Sequence, residues 1–523
     1  MCVEITPAQQ YNNNKMDIII SQKKSSSGMK KLLKQIFKQQ KSHKVSGNSM
    51  ESLESLENKR NTELESDCDS MESFENDINE CLLAAEEETY VPVHFVRTEQ
   101  AMRIFTCVLL VAALAVNGLA ENLCLIDANV ADIPKTIRSD LYRGQQEFTL
   151  NMLEAIQKAT PNENIFFSPY STFHALLLAY FGADGKTEEE LVQGLRLQWA
   201  KNKKHVNNGY RLEKQMRYSR TKKMPLEFTA ADRIYFDKSI NLAACMKENF
   251  QDELESLDFR TKAEEGRMEI NNWIANVTRN EIPEMLNPGD VTTDSQMVLA
   301  NAAYFKGQWS DKFDAKDTKQ EIFYTTPSQY SFVPMMHKRG VFNMAVDENL
   351  GAYVLQMPYL TSHDEEKDSE ISMVIVLPPF TEGALEKVLA KLKPDSLENA
   401  LKMASPKEID ISLPKFEFEQ NLELVPILRK LGINSLFDHT ANLSGFSTET
   451  SLMFGDAKHV AKIKVDEEGS TAAAATVVFS FRSARPAEPT KFECNHPFMF
   501  LIYDNTAKAV LFTGIYRDPK TQK

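Results

Sequence analysis

The sequence predicts an α+β fold over residues 141 to 518, on three observations. Apolar residues recur at helical spacing in several stretches, as in Ile270, Trp273, Ile274 and Val277. Between them lie runs of strand length, and Met297 to Phe305 is so continuously apolar that it suits a strand buried on both faces. The two kinds of element mix without a regular βαβ rhythm, and that pattern says α+β.

The chain of 523 residues carries a formal charge of -14, which argues against general nucleic-acid binding. Residues 1–101 do not read as a folded domain. Lys15 to Lys44 is basic and rich in Ser and Gln, whereas Glu51 to Glu88 is strongly acidic. Such blocks bury too little apolar surface to offset ordering entropy, so this extension is expected to be disordered. Residues 102–120 then combine Met102-Arg103, an apolar run and the small residues Gly118 and Ala120. They read as a secretory signal cut after Ala120, with Met102 an internal start. A signal anchor is the alternative, although about 17 apolar residues is the short limit for a span. A buried helix would need an amphipathic stripe, and none is visible. Residues 121–140 form a loose N-terminal segment. Only Cys124, Cys245 and Cys494 lie beyond the signal, an odd number that does not make a disulfide framework.

In the domain itself, Phe148, Met152, Leu153 and Ile156 mark a helix over 145–159. Asn164 to Phe167 reads as a strand, with Ser168 as N-cap and Pro169 as first residue of the next helix. Thr187 and Glu190 read as a capping box. Further strands are expected at 353–359, 371–377, 409–418 and 510–516, and helices at 382–392 and 422–431. The sequons Asn276-Val277-Thr278 and Asn442-Leu443-Ser444 are glycosylation candidates, with Asn442 in the more loop-like context.

Near the C-terminus a run of small residues, Gly469, Ser470, Thr471, Ala472, Ala473, Ala474, Ala475 and Thr476, leads into Val/Phe and then Arg482-Ser483-Ala484-Arg485-Pro486. Alone it would be a flexible linker. As a strand it would put Ser470, Ala472, Ala474 and Thr476 on one face, with no charge to bury. Its flanks decide between the two. Glu467-Glu468-Gly469-Ser470 with the Ala/Thr run resembles the reactive-loop hinge of the serpins, and Phe492 to Phe500 resembles the signature that follows their loop. Asn164 to Pro169 and Asn301 to Trp309 are similar to two further serpin motifs, so the resemblance covers nearly everything from about 140 to 518.

That resemblance implies three β-sheets, about nine helices and an exposed reactive-centre loop, here 467–491. It implies a monomeric inhibitor rather than an enzyme. A target serine protease would form a covalent complex, and the cleaved loop would insert into the central sheet, with Trp309 near the point of entry. The hinge would comprise Glu467, Glu468 and Gly469 through Ala475. The reactive bond is placed at Arg482-Ser483, which suits a trypsin-like protease. Counting loop length from Glu467 puts Ser483 before the cut instead, and Arg485 is disfavoured by Pro486. A non-inhibitory carrier or chaperone is the alternative, but its hinge would carry bulky or charged residues. No HExxH, GxSxG or CxxC pattern points to catalysis, metal or cofactor. The basic segment 201–223 corresponds to a helix that binds sulfated polysaccharide in some members, with Lys203, Lys204, Arg217 and Arg220 as candidates. A solvated helix is the competing reading. The expected setting is extracellular, in a protease cascade of immune or clotting type.

Overall fold

The computed structural model describes residues 134–222, 224–361, 370–449, 451–469 and 488–521. The N-terminal extension, the 102–120 segment, Cys124, Ser470 to Ala475 and the Arg482-Ser483 bond lie outside the described residues.

The order opens with α1 (Ile137–Ala159), β1 (Ile165–Phe167), α2 (Pro169–Gly182), α3 (Gly185–Gly194) and α4 (Lys203–Thr221). It continues with β2 (Glu227–Asp237), α5 (Ala244–Asn249), β3 (Leu254–Leu257), α6 (Phe259–Val277), β4 (Met297–Lys306), β5 (Lys319–Thr326) and β6 (Gln329–Asp347). Then come β7 (Ala352–Pro358), β8 (Ile371–Leu377), α7 (Ala384–Lys391), α8 (Pro394–Met403), β9 (Ser405–Pro414), β10 (Phe416–Glu423) and α9 (Leu424–Lys430). The last strands are β11 (Ala457–Val465), β12 (Thr490–Glu493), β13 (Phe498–Asp504) and β14 (Ala509–Tyr516).

Nine α-helices thus surround two hydrogen-bonded sheets among the described residues. The three sheets expected are joined into two because the 19-residue β6 serves two groups of strands. Its early and middle residues pair with β5 and β9, and its last five pair with β7. The resulting path is β1-β14-β13-β8-β7-β6-β9-β12. The other sheet runs β10-β11-β4-β2-β3.

Local chemistry accounts for most boundaries. Ser168 caps α2 as expected, its hydroxyl accepting from the Ser171 N–H at 3.1 Å. The expected strand over 409–418 is two strands in different sheets. The break falls at Pro414-Lys415, where the Lys415 N–H turns away to the Pro334 carbonyl. The expected capping box is also corrected. Asp184 caps α3, while Thr187 accepts from the Asn442 N–H and Glu190 from the N–H groups of Asn434 and Ser435. Both side chains hold a distant loop, a role no local pattern reveals.

Helix α6 packs on the outer face of the five-stranded sheet. Ile270, Ile274, Ile282 and Leu286 meet Ala300 and Ala302 of β4 and Val460 of β11 in one buried cluster. Helix α2, buried along its whole length, lies against β2 and β4.

Candidate functional site

Two neighbour pairs of the five-stranded sheet are parallel, β2 with β3 and β4 with β11. Strands β11 and β4 run parallel, in register from Ala457 opposite Leu299 to Ile463 opposite Phe305. Parallel neighbours form evenly spaced but slanted bonds, somewhat weaker per residue than antiparallel ones. The facing positions are small where it matters for separation: Ala302 opposite Val460 and Ala303 opposite Ala461. A chain that leaves the end of β11 and doubles back runs antiparallel to β11. Because β4 is parallel to β11, the same chain lying between them is antiparallel to both. The seam is therefore a ready slot for the residues that follow Val465.

The turn that follows Val465 is built to begin such a reversal. Glu467 is buried, and its carboxylate accepts from Lys415 at 2.7 Å and from the Thr318 hydroxyl at 2.8 Å. Burial alone would raise its pKa, but the Lys415 amine and the other donors hold it below the usual range. The Gly469 N–H donates to the Asp466 carbonyl at 3.2 Å, and Gly469 sits at φ +65, left-handed. A Cβ on Gly469 would lie 2.3 Å from the Trp309 backbone nitrogen and 2.7 Å from the Gly307 carbonyl oxygen, so only glycine fits. Trp309 is buried beside it. Its indole N–H donates to the Asp466 carbonyl at 2.9 Å, and its ring stacks on Tyr359. Its backbone N–H donates to the Glu468 carbonyl at 3.4 Å, and that of Phe313 to the Glu467 carbonyl at 3.0 Å. Trp309 thus stands where the resemblance put it, at the upper end of the seam.

Behind the middle of the seam a polar network ties the two strands to α2. Asn301 of β4 and His459 of β11 face each other in register. Asn301 Nδ2 donates to Ser171 Oγ at 2.7 Å and to Asp232 Oδ1 at 2.6 Å, and the Ser171 hydroxyl donates to the same oxygen at 2.6 Å. The Ser168 N–H donates to His459 Nε2 at 2.9 Å. Burial pushes His459 down to about 3, so the ring is neutral. Burial lifts Asp232 to about 7, against the pull of Ser171, Arg217 and Asn301. Neither residue was singled out by sequence reasoning. Both strands carry several other polar residues, so no local pattern marks these two.

The basic candidates do not share a free face. Lys203 meets the Ala183 carbonyl and Glu188, the latter at 3.0 Å. Arg220 forks onto Asp504 at 3.0 and 3.1 Å and reaches Glu370 at 2.7 Å. Arg217 lies over the Tyr170 ring at 5.2 Å. Lys204 also has an interaction partner. Helix α4 runs without a break through Gly209, which packs beside Ile137.

Of the two sequons, Asn442 is exposed, with its side-chain oxygen accepting from the Ser444 N–H at 3.2 Å. Asn276 is exposed in the last turn of α6. Thr278 is fully buried, donating to the Ile274 carbonyl at 2.7 Å and accepting from the Ile282 N–H at 3.2 Å. Its hydroxyl therefore serves the fold. Cys494 is also fully buried, and burial pushes its thiol pKa up.

Comparison with known proteins agrees with this geometry. A family model described as serpin (serine protease inhibitor) matches residues 143–519. Serine protease inhibitor 88Ea of Drosophila melanogaster is 53% identical over 74% of this chain and 92% of its own. Iris of Ixodes ricinus is 33% identical over 68% of this chain and 92% of its own. The solved structure of uncleaved ovalbumin aligns with TM-score 0.64 and 25% identity, covering 73% of this chain and 100% of that one. The match spans the seam, the hinge turn and the strands that follow the loop. The chain belongs to the serpin family.

Proposed function

We propose that the protein is a secreted, monomeric inhibitor of a trypsin-like serine protease, acting in an extracellular cascade of immune or clotting type by suicide loop insertion. The observation that carries this reading is the parallel β4–β11 seam, with the left-handed Gly469 turn at its upper end. The sequence that follows offers only small residues to the sheet, from Ser470 through Ala475. The protease serine adds to the Arg482 carbonyl, the amide to Ser483 breaks, and the freed Ser483 amine takes the proton. An ester then joins Arg482 to the protease. Residues 470 to 482 are thirteen residues, about 43 Å when extended, enough to run the length of the seam. This chain supplies bait and slot, and turns over no substrate.

The test is to mix the full chain with trypsin and look for a complex that survives SDS. The C-terminal peptide released by base should begin at Ser483. A start at Ala484 moves the reactive bond one residue on and favours an elastase-like target, and a start at Pro486 moves it to Arg485. Complete cleavage by every protease tried, with no complex, would favour the carrier or chaperone reading. Secretion predicts that protein from the medium begins near Glu121, with glycan on Asn442. A sulfated polysaccharide has to compete with the carboxylates already on Lys203 and Arg220, so its binding is read as weak and steeply salt-dependent. Heparin retention that is unchanged when Lys203, Lys204, Arg217 and Arg220 are neutralised removes that activator.

A further inference from the structure

Loop insertion, on the reading just proposed, requires β4 and β11 to part from the upper end downward. The first pair to separate is Phe305 and Ile463, and the second is Tyr304 and Lys462. Tyr304 and Lys462 both project from the outer face of the sheet, toward the connection that joins α6 to β4. Glu281 lies in that connection. Its Oε1 accepts from the Tyr304 hydroxyl at 3.2 Å, and its Oε2 is 3.3 Å from Lys462 Nζ. One carboxylate therefore bridges the two strands directly below the point of loop entry.

We infer that Glu281 is a staple across the seam, a positioning residue that sets how fast the cleaved loop enters the sheet. Neighbouring strands lie about 4.8 Å apart, so a strand inserted between β4 and β11 widens the Tyr304–Lys462 gap by that amount. The two oxygens of one carboxylate cannot follow both partners, and one contact has to break. Lys462 is not stranded when it does. Glu417 and Glu419 of β10 stand 3.6 and 3.8 Å from its amine, and β10 is paired to β11 by eight register pairs. The lysine can shift its partnership from the connection to the strand that travels with it. Such an exchange makes the staple releasable while leaving no buried charge unpaired.

A second lysine of β11 with the same choice between connection and β10 lies lower on the seam. Lys458, nine-tenths buried, binds Asp290 of the same connection at 2.6 Å and has Glu423 of β10 at 3.5 Å. Below it opens a cavity of about 510 Å³ lined by Leu286, Asp290, Met297, Met453 and Lys458. The foot of the seam beside Lys458 is thus loosely filled, whereas Glu281 stands near the end where entry begins.

The test uses the full chain with two probes. One is trypsin. The other is a synthetic peptide copying residues 468–481, which can anneal into the seam without a protease. Glu281→Gln removes the negative charge facing Lys462, and Tyr304→Phe removes the other contact. Each variant should take up the peptide about two- to fivefold faster than wild type, the range for a partly exposed ion pair. More of the trypsin encounters should end in stable complex and fewer in released, cleaved inhibitor. Uptake by wild type should also quicken with salt, and that dependence should be lost in Glu281→Gln, an effect that mere loss of packing would not produce. Equal uptake rates and an unchanged salt dependence in Glu281→Gln overturn the staple while leaving the insertion mechanism standing. Should Glu281→Gln fail to fold, Tyr304→Phe and the wild-type salt series decide the same question. A wild type that takes up no peptide and forms no complex brings down both inferences.

Discussion

Trp309 lies flat on Tyr359, with ring centroids 4.5 Å apart and planes 12° from parallel. The indole is thereby held at one angle, and its N–H meets the Asp466 carbonyl at the start of the hinge turn. Trp309→Phe should keep the stacking and lose the bond, at a cost of about 1 kcal/mol. Trp309→Ala should cost about 3–5 kcal/mol by emptying the site. Urea midpoints of the two variants check the ratio, and a Trp309→Phe midpoint equal to wild type would mean that the indole N–H contributes little.

Gly469→Ala places a methyl against backbone atoms of Trp309 and Gly307 rather than against a flexible side chain. Neither can yield, and the left-handed conformation adds strain of about 1–3 kcal/mol. The native state should melt earlier, and the hinge should become more sensitive to limited proteolysis. An unchanged melting curve would show that the turn rearranges freely.

The Glu467–Lys415 pair ties the end of β11 to the start of β10. Because Lys415 is 40% exposed, Glu467→Gln should cost only about 1 kcal/mol. The folded pKa of Glu467 lies below its ordinary 4.5, so this contribution is complete above about pH 4.5 and fades as pH falls through the lower folded value. Wild type and Glu467→Gln should therefore differ in stability near neutrality and converge in acid.

Two buried histidines and one buried carboxyl oppose each other in pH dependence. His174 and His459 are both pushed by burial from 6.5 to about 3, so the unfolded chain binds protons that the folded one refuses. Their effect is to lower stability as pH falls from about 6.5 toward 3. Asp232, raised from 3.8 to about 7, binds a proton in the folded state first and acts the other way over pH 7 to 4. With two groups against one of similar shift, stability should fall on acidification through this window. His459→Gln should flatten the slope, and a slope unaltered in that variant would exclude the imidazole as its source.

Ala472→Arg should convert inhibitor to substrate. On the alternating pattern Ala472 shares the inward face with Ser470 and Ala474, and a buried unpaired guanidinium costs several kcal/mol. Gel analysis should show cleaved, released chain in place of complex. Complex at wild-type rate and yield would contradict the assigned face.

Much of this fold is legible in the residues themselves. The apolar run of β4, the Ser168-Pro169 start of α2 and the periodicity of α6 depend on side chains a few positions apart, where local geometry fixes the outcome. The hinge motif with its single left-handed glycine is likewise a local pattern, and so is the position of Trp309 shortly after β4. What the residues cannot state is partnership at a distance. Nothing near Lys415 announces Glu467, 52 positions away, and nothing near Glu281 announces Lys462. The basic look of 201–223 does not disclose that Arg220 is held by Asp504, across 284 positions. Nor does the strand pattern say that β4 and β11 run parallel and adjacent, the relation on which the slot depends. Periodicity and turn chemistry act within a few residues of chain, whereas ion pairing and strand order are settled when the packed core brings remote segments together. The sequence alone determined most of the elements and the small residues of the hinge run, and tertiary packing alone decided which strands lie side by side.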